Sequence, residues 1–125
     1  MALTKSRSSI WSAQTLTAGA GNTTSSWIDL SAVYASQVDI ALTNGGTGPT
    51  VVAQVQVQVA NDYNAGSPTL IASYGGAMLG SSTNSAVTYF SVDLPIGIEA
   101  VRLVAGSNTG QNVTVDADIS KVTAL

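Results

Sequence analysis

The chain has 125 residues, enough for one domain with its own core, and only 9% of them are charged, compared with roughly 25% in typical soluble domains. The formal net charge of −3 argues against a general nucleic-acid binder, because an acidic surface repels phosphates. The absence of cysteine and histidine excludes disulfides, thiolate or imidazole metal ligands and histidine-based catalysis.

The first nine residues are predicted to form an extended arm that precedes the first strand. Lys5 and Arg7 hold two of the four basic side chains of the chain. The arm lacks the apolar segment of a signal peptide, and no apolar run approaches the ~18 residues that a membrane span needs. Two interpretations of the arm stay open: a frayed terminus, or a basic segment that docks on an acidic neighbour.

Alternating apolar and polar residues predict about eight β-strands after the arm. The predicted strands are residues 10–17, 26–30, 37–43, 51–60, 69–74, 86–94, 99–105 and 111–120. Helical pattern is confined to one candidate turn at residues 31–36. Short alternating strands separated by turn signals are typical of an antiparallel β-sandwich. We therefore predict an all-β protein with an N-terminal arm (residues 1–9) and a single jelly-roll or immunoglobulin-like sandwich domain (residues 10–125).

The strand VVAQVQVQVAND alternates valine with glutamine. Period-2 geometry places Gln54, Gln56 and Gln58 together on the face opposite the valines. Neutral amides avoid the cost of removing charge from water, so this face is suited to burial against another protein. The alternative is an ordinary solvated sheet face.

Two groups of polar residues have a chemical and a structural interpretation. Asp116 and Asp118 share one face of a strand, with Cα atoms about 6.5–7 Å apart, a spacing that resembles some glycosidase pairs. The alternative is a solvated outer face. Asn61, Asp62 and Asn64 offer oxygen atoms to a calcium ion, or form a turn by bonding to their own backbone.

The aromatic side chains allow either a sugar-stacking platform or a role in the core and at interfaces. Tyr89 lies opposite the apolar positions of its strand, so it is predicted to be exposed. No nucleophile is paired with a base in the sequence, and we expect no enzymatic activity, no cofactor and no metal site.

The run WIDLSAVYASQVDIALTNGGTGPTVVAQVQVQVANDYNAGS, residues 27–67, resembles small β-sandwich proteins encoded among the virion structural genes of tailed bacteriophages. The matching features are the W-x-D-L-S opening, the turn at Tyr34, the T-N-G-x-T-G-P-T hairpin and the V-x-V-x-V-A-N-D strand end. Proteins of this kind are often capsid decoration (cement) proteins, and some belong to tails or head fibres. The resemblance implies a structural role without catalytic residues.

We therefore expect a virion structural protein, made in the host cytoplasm, that binds and stabilises the phage head shell as a decoration protein. The expected partners are the major capsid protein or other virion proteins, and we expect a homo-oligomer, with a trimer favoured. The alternative function is a tail or head-fibre module that binds a host glycan or receptor. The candidate interaction residues are Lys5, Arg7, Gln54, Gln56 and Gln58, and neither nucleic acid nor membrane is an expected partner.

Overall fold

The computed structural model describes residues 3–124, whose regular structure consists of ten β-strands and one short 3-10 turn at Asn64–Gly66. The strands in chain order are β1 (Thr4–Leu16), β2 (Thr23–Thr24), β3 (Ile28–Asp29), β4 (Ala35–Asn44), β5 (Gln54–Ala60), β6 (Ile71–Ser73), β7 (Met78–Leu79), β8 (Val87–Leu94), β9 (Ala100–Gly106) and β10 (Val113–Ala124). Among the described residues, no helix has the length and apolar character that a membrane crossing requires.

The strands form two antiparallel sheets that pack as a sandwich. Sheet A has the order β1-β10-β4-β8, and sheet B has the order β2-β9-β5-β6, with β3 also paired to β9 and β7 to β5. The pairs are nested along the chain: β1 with β10, β2 and β3 with β9, β4 with β8, and β5 with β6 and β7. This nesting is a jelly roll. The predicted all-β antiparallel sandwich is confirmed, and the strand order selects the jelly-roll form over the immunoglobulin-like one.

The hydrophobic core lies between the sheets and is formed by the apolar positions of the alternating strands. Its largest fully buried apolar side chains are Leu16, Leu42, Leu103, Ile119, Val38, Val55, Val57, Val101, Val113 and Val115. Burying one such side chain contributes about 1.5–3 kcal/mol relative to leaving it in water. Val55 and Val57 therefore supply core contacts, as the alternation predicts, whereas Val51, at the start of the predicted strand, precedes β5 and is 50% exposed.

The N-terminal arm requires a correction. Residues 4–9 are the first half of β1 and pair with residues 118–124 of β10, so the first strand begins six residues before its predicted start. Residues 1 and 2 of the predicted arm lie outside the described residues. The segment TKSRSS shows no apolar alternation because its side chains are exposed. Its backbone N–H and C=O groups pair all the same, since main-chain hydrogen bonds need no apolar side chain.

The weaker sequence patterns give short strands or none. The predicted strands at residues 26–30 and 69–74 shrink to β3 and β6, and the two-residue strands β2 and β7 carry no recognisable pattern. The candidate helical turn at residues 31–36 is absent. Instead, the Asp29 carboxylate accepts hydrogen bonds from the backbone N–H and the hydroxyl of Ser31, at 2.9 and 2.6 Å, and closes a local turn before β4.

Candidate interaction surfaces

The glutamine face, formed by Gln54, Gln56 and Gln58, lies on the outward side of β5 in the interior of sheet B. All three side chains are half-buried although they point away from the core. Gln54 Nε2 donates to Ser107 Oγ at 3.1 Å, and Gln56 Nε2 donates to the carbonyl of Gly75 at 3.0 Å. The amides therefore tie β5 to segments on both sides of it. Each of these amides has more donors and acceptors than its bonds use. The role of the three glutamines in binding another protein stays a prediction.

The third glutamine belongs to a cluster that sequence reasoning missed. Arg102 Nε donates to Gln58 Oε1 at 2.7 Å, and the guanidinium carbon lies 4.5 Å from the centroid of the Trp27 ring. A cation–π contact of this kind contributes about 0.5–1 kcal/mol at an exposed site. The outward position of Arg102 is visible in the β9 pattern. Its stacking on Trp27 depends on the path of the segment between β2 and β3 along β9. The local sequence around Arg102 does not encode that path.

The structure places Lys5 and Arg7 on β1 instead of on a free arm. Arg7 donates twice to the Asp118 carboxylate, from Nε at 3.1 Å and from Nη2 at 2.5 Å. This is the single ion pair within residues 3–124. Because both side chains are accessible to water, it contributes about 1 kcal/mol or less. Arg7 is thus engaged within the molecule, whereas Lys5 lies beside Lys121 in a shallow depression at the end of sheet A.

Three carboxylates lie on the outer face of sheet A. Asp118 stands directly opposite Asp39 in the ladder between β10 and β4, an arrangement that would be repulsive without neighbouring donors. Asp39 accepts from the Ser91 hydroxyl at 2.6 Å, and Asp116 Oδ1 accepts from the Ala13 N–H at 2.8 Å in a bulge of β1. Asp116 and Asp118 lie on an outer face, as the alternative interpretation has it, and they accept hydrogen bonds there from the Ala13 N–H and from Arg7. The described residues include no group of three or more acidic side chains positioned to hold a metal ion.

The loop between β5 and β6 closes on itself. The backbone N–H of Thr69 donates to Asp62 Oδ1 at 3.1 Å, and the Thr69 hydroxyl donates to Oδ2 at 3.0 Å. These bonds, the backbone one first, hold the pKa of Asp62 below its ordinary value. Asn64 Nδ2 donates to the Ser67 carbonyl at 2.9 Å. Asp62 and Asn64, two of the three residues considered for calcium, therefore bind donors and acceptors of their own loop.

The exposed tyrosines do not form a platform. Tyr89 is 76% exposed on the outer face of sheet A, as predicted, and lies opposite Ala41 of β4. Tyr34, which is 47% exposed, precedes the first residue of β4 and so lies near the opposite end of that strand. The other aromatic side chains are buried or half-buried: Trp11, Trp27, Tyr63, Tyr74 and Phe90.

Four loops meet at one end of the sandwich, and none of them contains an acidic or basic side chain. They are residues 17–22, 45–53, 80–86 and 107–112, and we call them the uncharged end. Hydrogen bonds join loops that are distant in sequence: Gly19 N–H to Asn108 C=O at 2.9 Å, Thr50 N–H to Thr109 C=O at 2.8 Å, Ser85 N–H to Gly45 C=O at 2.8 Å, and Gly48 N–H to Asn84 Oδ1 at 2.8 Å.

Two residues show how tightly the uncharged end is packed. A Cβ atom on Gly48 would lie 2.0 Å from the carbonyl oxygen of Ser82, so only glycine fits there without displacement. Asn108 is 1% exposed, and its Nδ2 donates to the carbonyls of Leu16 and Gln111, both at 2.9 Å. The hairpin predicted around Gly48 is wrong, because β4 and β5 belong to different sheets and the loop that carries Gly48 crosses from one sheet to the other. The assembly of four loops arises only when the two sheets are stacked.

The opposite end of the sandwich carries most of the charge, and we call it the charged end. Its acidic and basic residues are Lys5, Asp29, Asp62, Asp93, Glu99 and Lys121. Two hydrogen bonds from Ser31, the hydroxyl one first, hold the pKa of Asp29 below its ordinary value. The molecule is therefore polarised along its strands, with ionisable side chains at one end and neutral ones at the other.

No protein-family model and no curated protein sequence matches the chain. Several solved structures are similar in fold. A chain of infectious bursal disease virus, Gx strain, gives a TM-score of 0.60 at 8% identity, covering 97% of this chain and 32% of that one. The VP2 subviral particle of the same virus gives 0.59 at 9% identity, covering 97% and 33%. The SPBc2 prophage-derived protein YomS gives 0.52 at 17% identity, covering 96% of each chain.

The present chain thus spans about a third of the length of the bursal disease virus chains that it matches, and nearly all of the prophage-derived protein. At these identities the likeness establishes the shared fold. The chain is a jelly-roll sandwich of the kind found in a viral chain and in a prophage-derived protein.

Proposed function

We propose that the protein is a structural component of a virus particle and binds the outside of a capsid shell as a decoration protein. The observation that carries this proposal is the polarisation of charge. The chain has seven acidic and four basic side chains, and all of them lie outside the uncharged end. The proposed contact surface is the uncharged end together with the adjoining glutamine face, which the hydrogen bond from Gln54 to Ser107 connects to it.

This surface has two properties that lower the cost of binding. The amides and hydroxyls of the uncharged end, and Gln54 and Gln56 beside it, can be buried without removing a charge from water, whereas Gln58 binds the Arg102 guanidinium. The loops of the uncharged end are already held by hydrogen bonds to one another, so little conformational entropy is lost when a partner covers them. The proposed partners are the major capsid protein or other virion proteins.

The shared fold supports a particle-associated role, since similar sandwiches occur in the VP2 subviral particle and in a prophage-derived protein. The mechanism would be stabilisation by mass action. A protein that binds the assembled shell and not the separated subunits stabilises the shell by about 2.7 kcal/mol per site at a free concentration of 100 times Kd. The dispersed aromatic side chains give no support to the alternative, a tail or head-fibre module that binds a host glycan.

The test is sedimentation with shells that lack the protein, using two variants that each convert one exposed amide to a carboxylate. Gln111→Glu places a charge at the uncharged end, and Asn61→Asp places one at the charged end. An unpaired, desolvated charge costs on the order of a few kcal/mol, or about two decades in affinity. We expect Gln111→Glu to weaken shell binding by that factor and Asn61→Asp to bind as the parent does. Equal binding of both variants would contradict the proposed surface, and no binding of the parent would contradict the function.

A third variant tests the glutamine face separately. Gln56→Glu removes the donor to the Gly75 carbonyl, so we expect a stability loss of about 1 kcal/mol from the lost bond alone. If the face is buried against the shell, binding should weaken by about two decades in addition. A variant that is slightly less stable and binds normally would show that the glutamine face lies outside the contact.

A further inference from the structure

The described residues form two sheets with four edges, and three of these edges are protected against pairing with another chain. The edges of sheet B are formed by β2 and β3 on one side and by β6 and β7 on the other, and none of these strands exceeds three residues. The β1 edge of sheet A carries Lys5 and Arg7 and has three register shifts against β10. Short strands, bulges and basic side chains are features that prevent edge-to-edge association.

The fourth edge, β8, has none of these protections. It runs for eight residues, VTYFSVDL, without Lys, Arg or Pro, and follows β4 without a register shift. The Asn44 N–H donates to the Ala86 carbonyl at 2.9 Å, which fixes the direction of the alternating main-chain groups. In an antiparallel ladder, residues 88, 90, 92 and 94 then face β4, and residues 87, 89, 91 and 93 point their N–H and C=O groups at the free edge.

We infer that β8 pairs antiparallel with β8 of a second copy of the chain, about a two-fold axis through Phe90. In this register the edge groups of Val87 meet those of Asp93, and the groups of Tyr89 meet those of Ser91, in both directions. Every outward-facing main-chain group of the strand then has a partner. Moving the axis to Tyr89 or Ser91 leaves an end residue of each strand unpaired, so the register through Phe90 satisfies the most hydrogen bonds.

The side chains are compatible with this pairing on both faces. On the outer face, Asp93 lies opposite Val87 and Tyr89 lies opposite Ser91, so no acidic side chain opposes its own copy. On the inner face, Phe90 and Val92 point toward the core yet stay half-buried at the open edge of the sandwich. A second β8 would bring Phe90 against Phe90 and cover this apolar surface.

A second copy of the chain fits this edge, because in this register the free hydrogen-bonding groups of β8 match those of its own reverse, no like charges meet and the two half-buried Phe90 side chains cover each other. The result is a two-fold dimer with sheet A continuous across both copies, in place of the trimer that the sequence analysis favours. The inference concerns the purified protein and does not rest on the proposed role in a particle. Pairing of one strand buries a small area, so the association should be weak.

The first experiment places a single cysteine in a chain that otherwise has none. Phe90→Cys puts the thiol on the proposed axis, where Cα atoms of a non-hydrogen-bonded pair are about 4.5 Å apart, within disulfide reach. Thr88→Cys, on the same face, puts the two thiols on the order of 13 Å apart. We expect oxidation to convert Phe90→Cys to a covalent dimer and to leave Thr88→Cys monomeric. Cross-linking of Thr88→Cys but not Phe90→Cys would overturn the register.

The second experiment changes only the outer face of β8, so it tests the same dimer even if Phe90→Cys does not fold. The double variant Y89K/S91K opposes two lysines at each of the two symmetric contacts, and Y89E/S91K opposes a lysine and a glutamate at the same places. We expect the first to weaken dimerisation roughly tenfold relative to the second, measured by sedimentation velocity up to about 1 mM protein. Three results would each overturn the proposal: equal association of the two variants, a parent that stays monomeric throughout, or a parent that forms trimers.

Discussion

The two ends of the sandwich achieve order in different ways. At the uncharged end, hydrogen bonds join loops that are far apart in sequence, as between Gly19 and Asn108 or between Thr50 and Thr109. At the charged end, backbone bonds also join distant segments, as from the Leu30 N–H to the Glu99 carbonyl at 2.8 Å. In addition, carboxylates there close their own loops, as Asp29 does with the nearby Ser31. The two ends thus differ in the chemistry of the groups that hold their loops: ionisable carboxylates take part at the charged end, whereas only neutral side chains and backbone groups do so at the uncharged end. The order of the uncharged end should therefore be insensitive to pH, whereas that of the charged end should not.

The largest expected effect is that of Gly48→Ala. The added Cβ would lie 2.0 Å from the Ser82 carbonyl oxygen, so two loops must separate to admit it. We expect a loss of about 3 kcal/mol in the free energy of unfolding, measured by urea denaturation. The control is Gly46→Ala in the same loop, where a Cβ would have no neighbour within 4 Å and the change should stay within about 0.5 kcal/mol. Similar stability of the two variants would contradict the close packing of these loops.

The next effect in size is that of Asn108→Ala, which removes the donor to two carbonyl groups at the buried centre of the uncharged end. Leaving buried acceptors without partners should cost about 2 kcal/mol. Asn61→Ala, an exposed asparagine at the charged end, is the matched control and should cost no more than about 0.5 kcal/mol. Thermal unfolding compares the two variants, and equal melting temperatures would show that the buried bonds of Asn108 contribute little to stability.

A smaller effect is expected for Arg7→Ala, which removes the ion pair with Asp118. Because the Arg7 side chain is 64% exposed, we expect a loss below about 1 kcal/mol that shrinks further in 1 M salt. The β1 strand should remain paired to β10, since its ladder is made of backbone groups. Loss of hydrogen-exchange protection across residues 4–9 in this variant would show that the ion pair, and not the ladder, holds the segment.

The smallest expected effect is the loss of local stability at low pH. The pKa values of Asp29 and Asp62 lie below the ordinary value of 3.8, so each carboxylate contributes stability that is present above pH 3.8 and is lost as the pH falls through its lowered pKa. We expect protection factors for hydrogen exchange in residues 61–70 to fall in this range while those in residues 107–112 hold. Asp62→Asn should make the loop's protection independent of acid. Simultaneous loss at both ends in the parent would contradict the contrast between them.

The strand pattern by itself determined the class of fold and the composition of its faces. Alternation of valine and glutamine places Val55 and Val57 in the core and Gln56 outside, because successive side chains of a strand must point to opposite faces. The same rule exposes Tyr89. The predicted arm was wrong because a pattern of side chains carries no information about polar segments whose backbone still finds a partner, as residues 4–9 do on β10.

Only the tertiary structure decided which strands are neighbours, and with that the jelly-roll order, the stacking of Arg102 on Trp27 and the meeting of four neutral loops at one end. It also decided which edge of sheet A is left open. These features depend on contacts between residues far apart in the chain, such as Leu16 with Asn108. The period of a strand sets the direction of its side chains, whereas the partner of each strand is selected by the packing of the whole core.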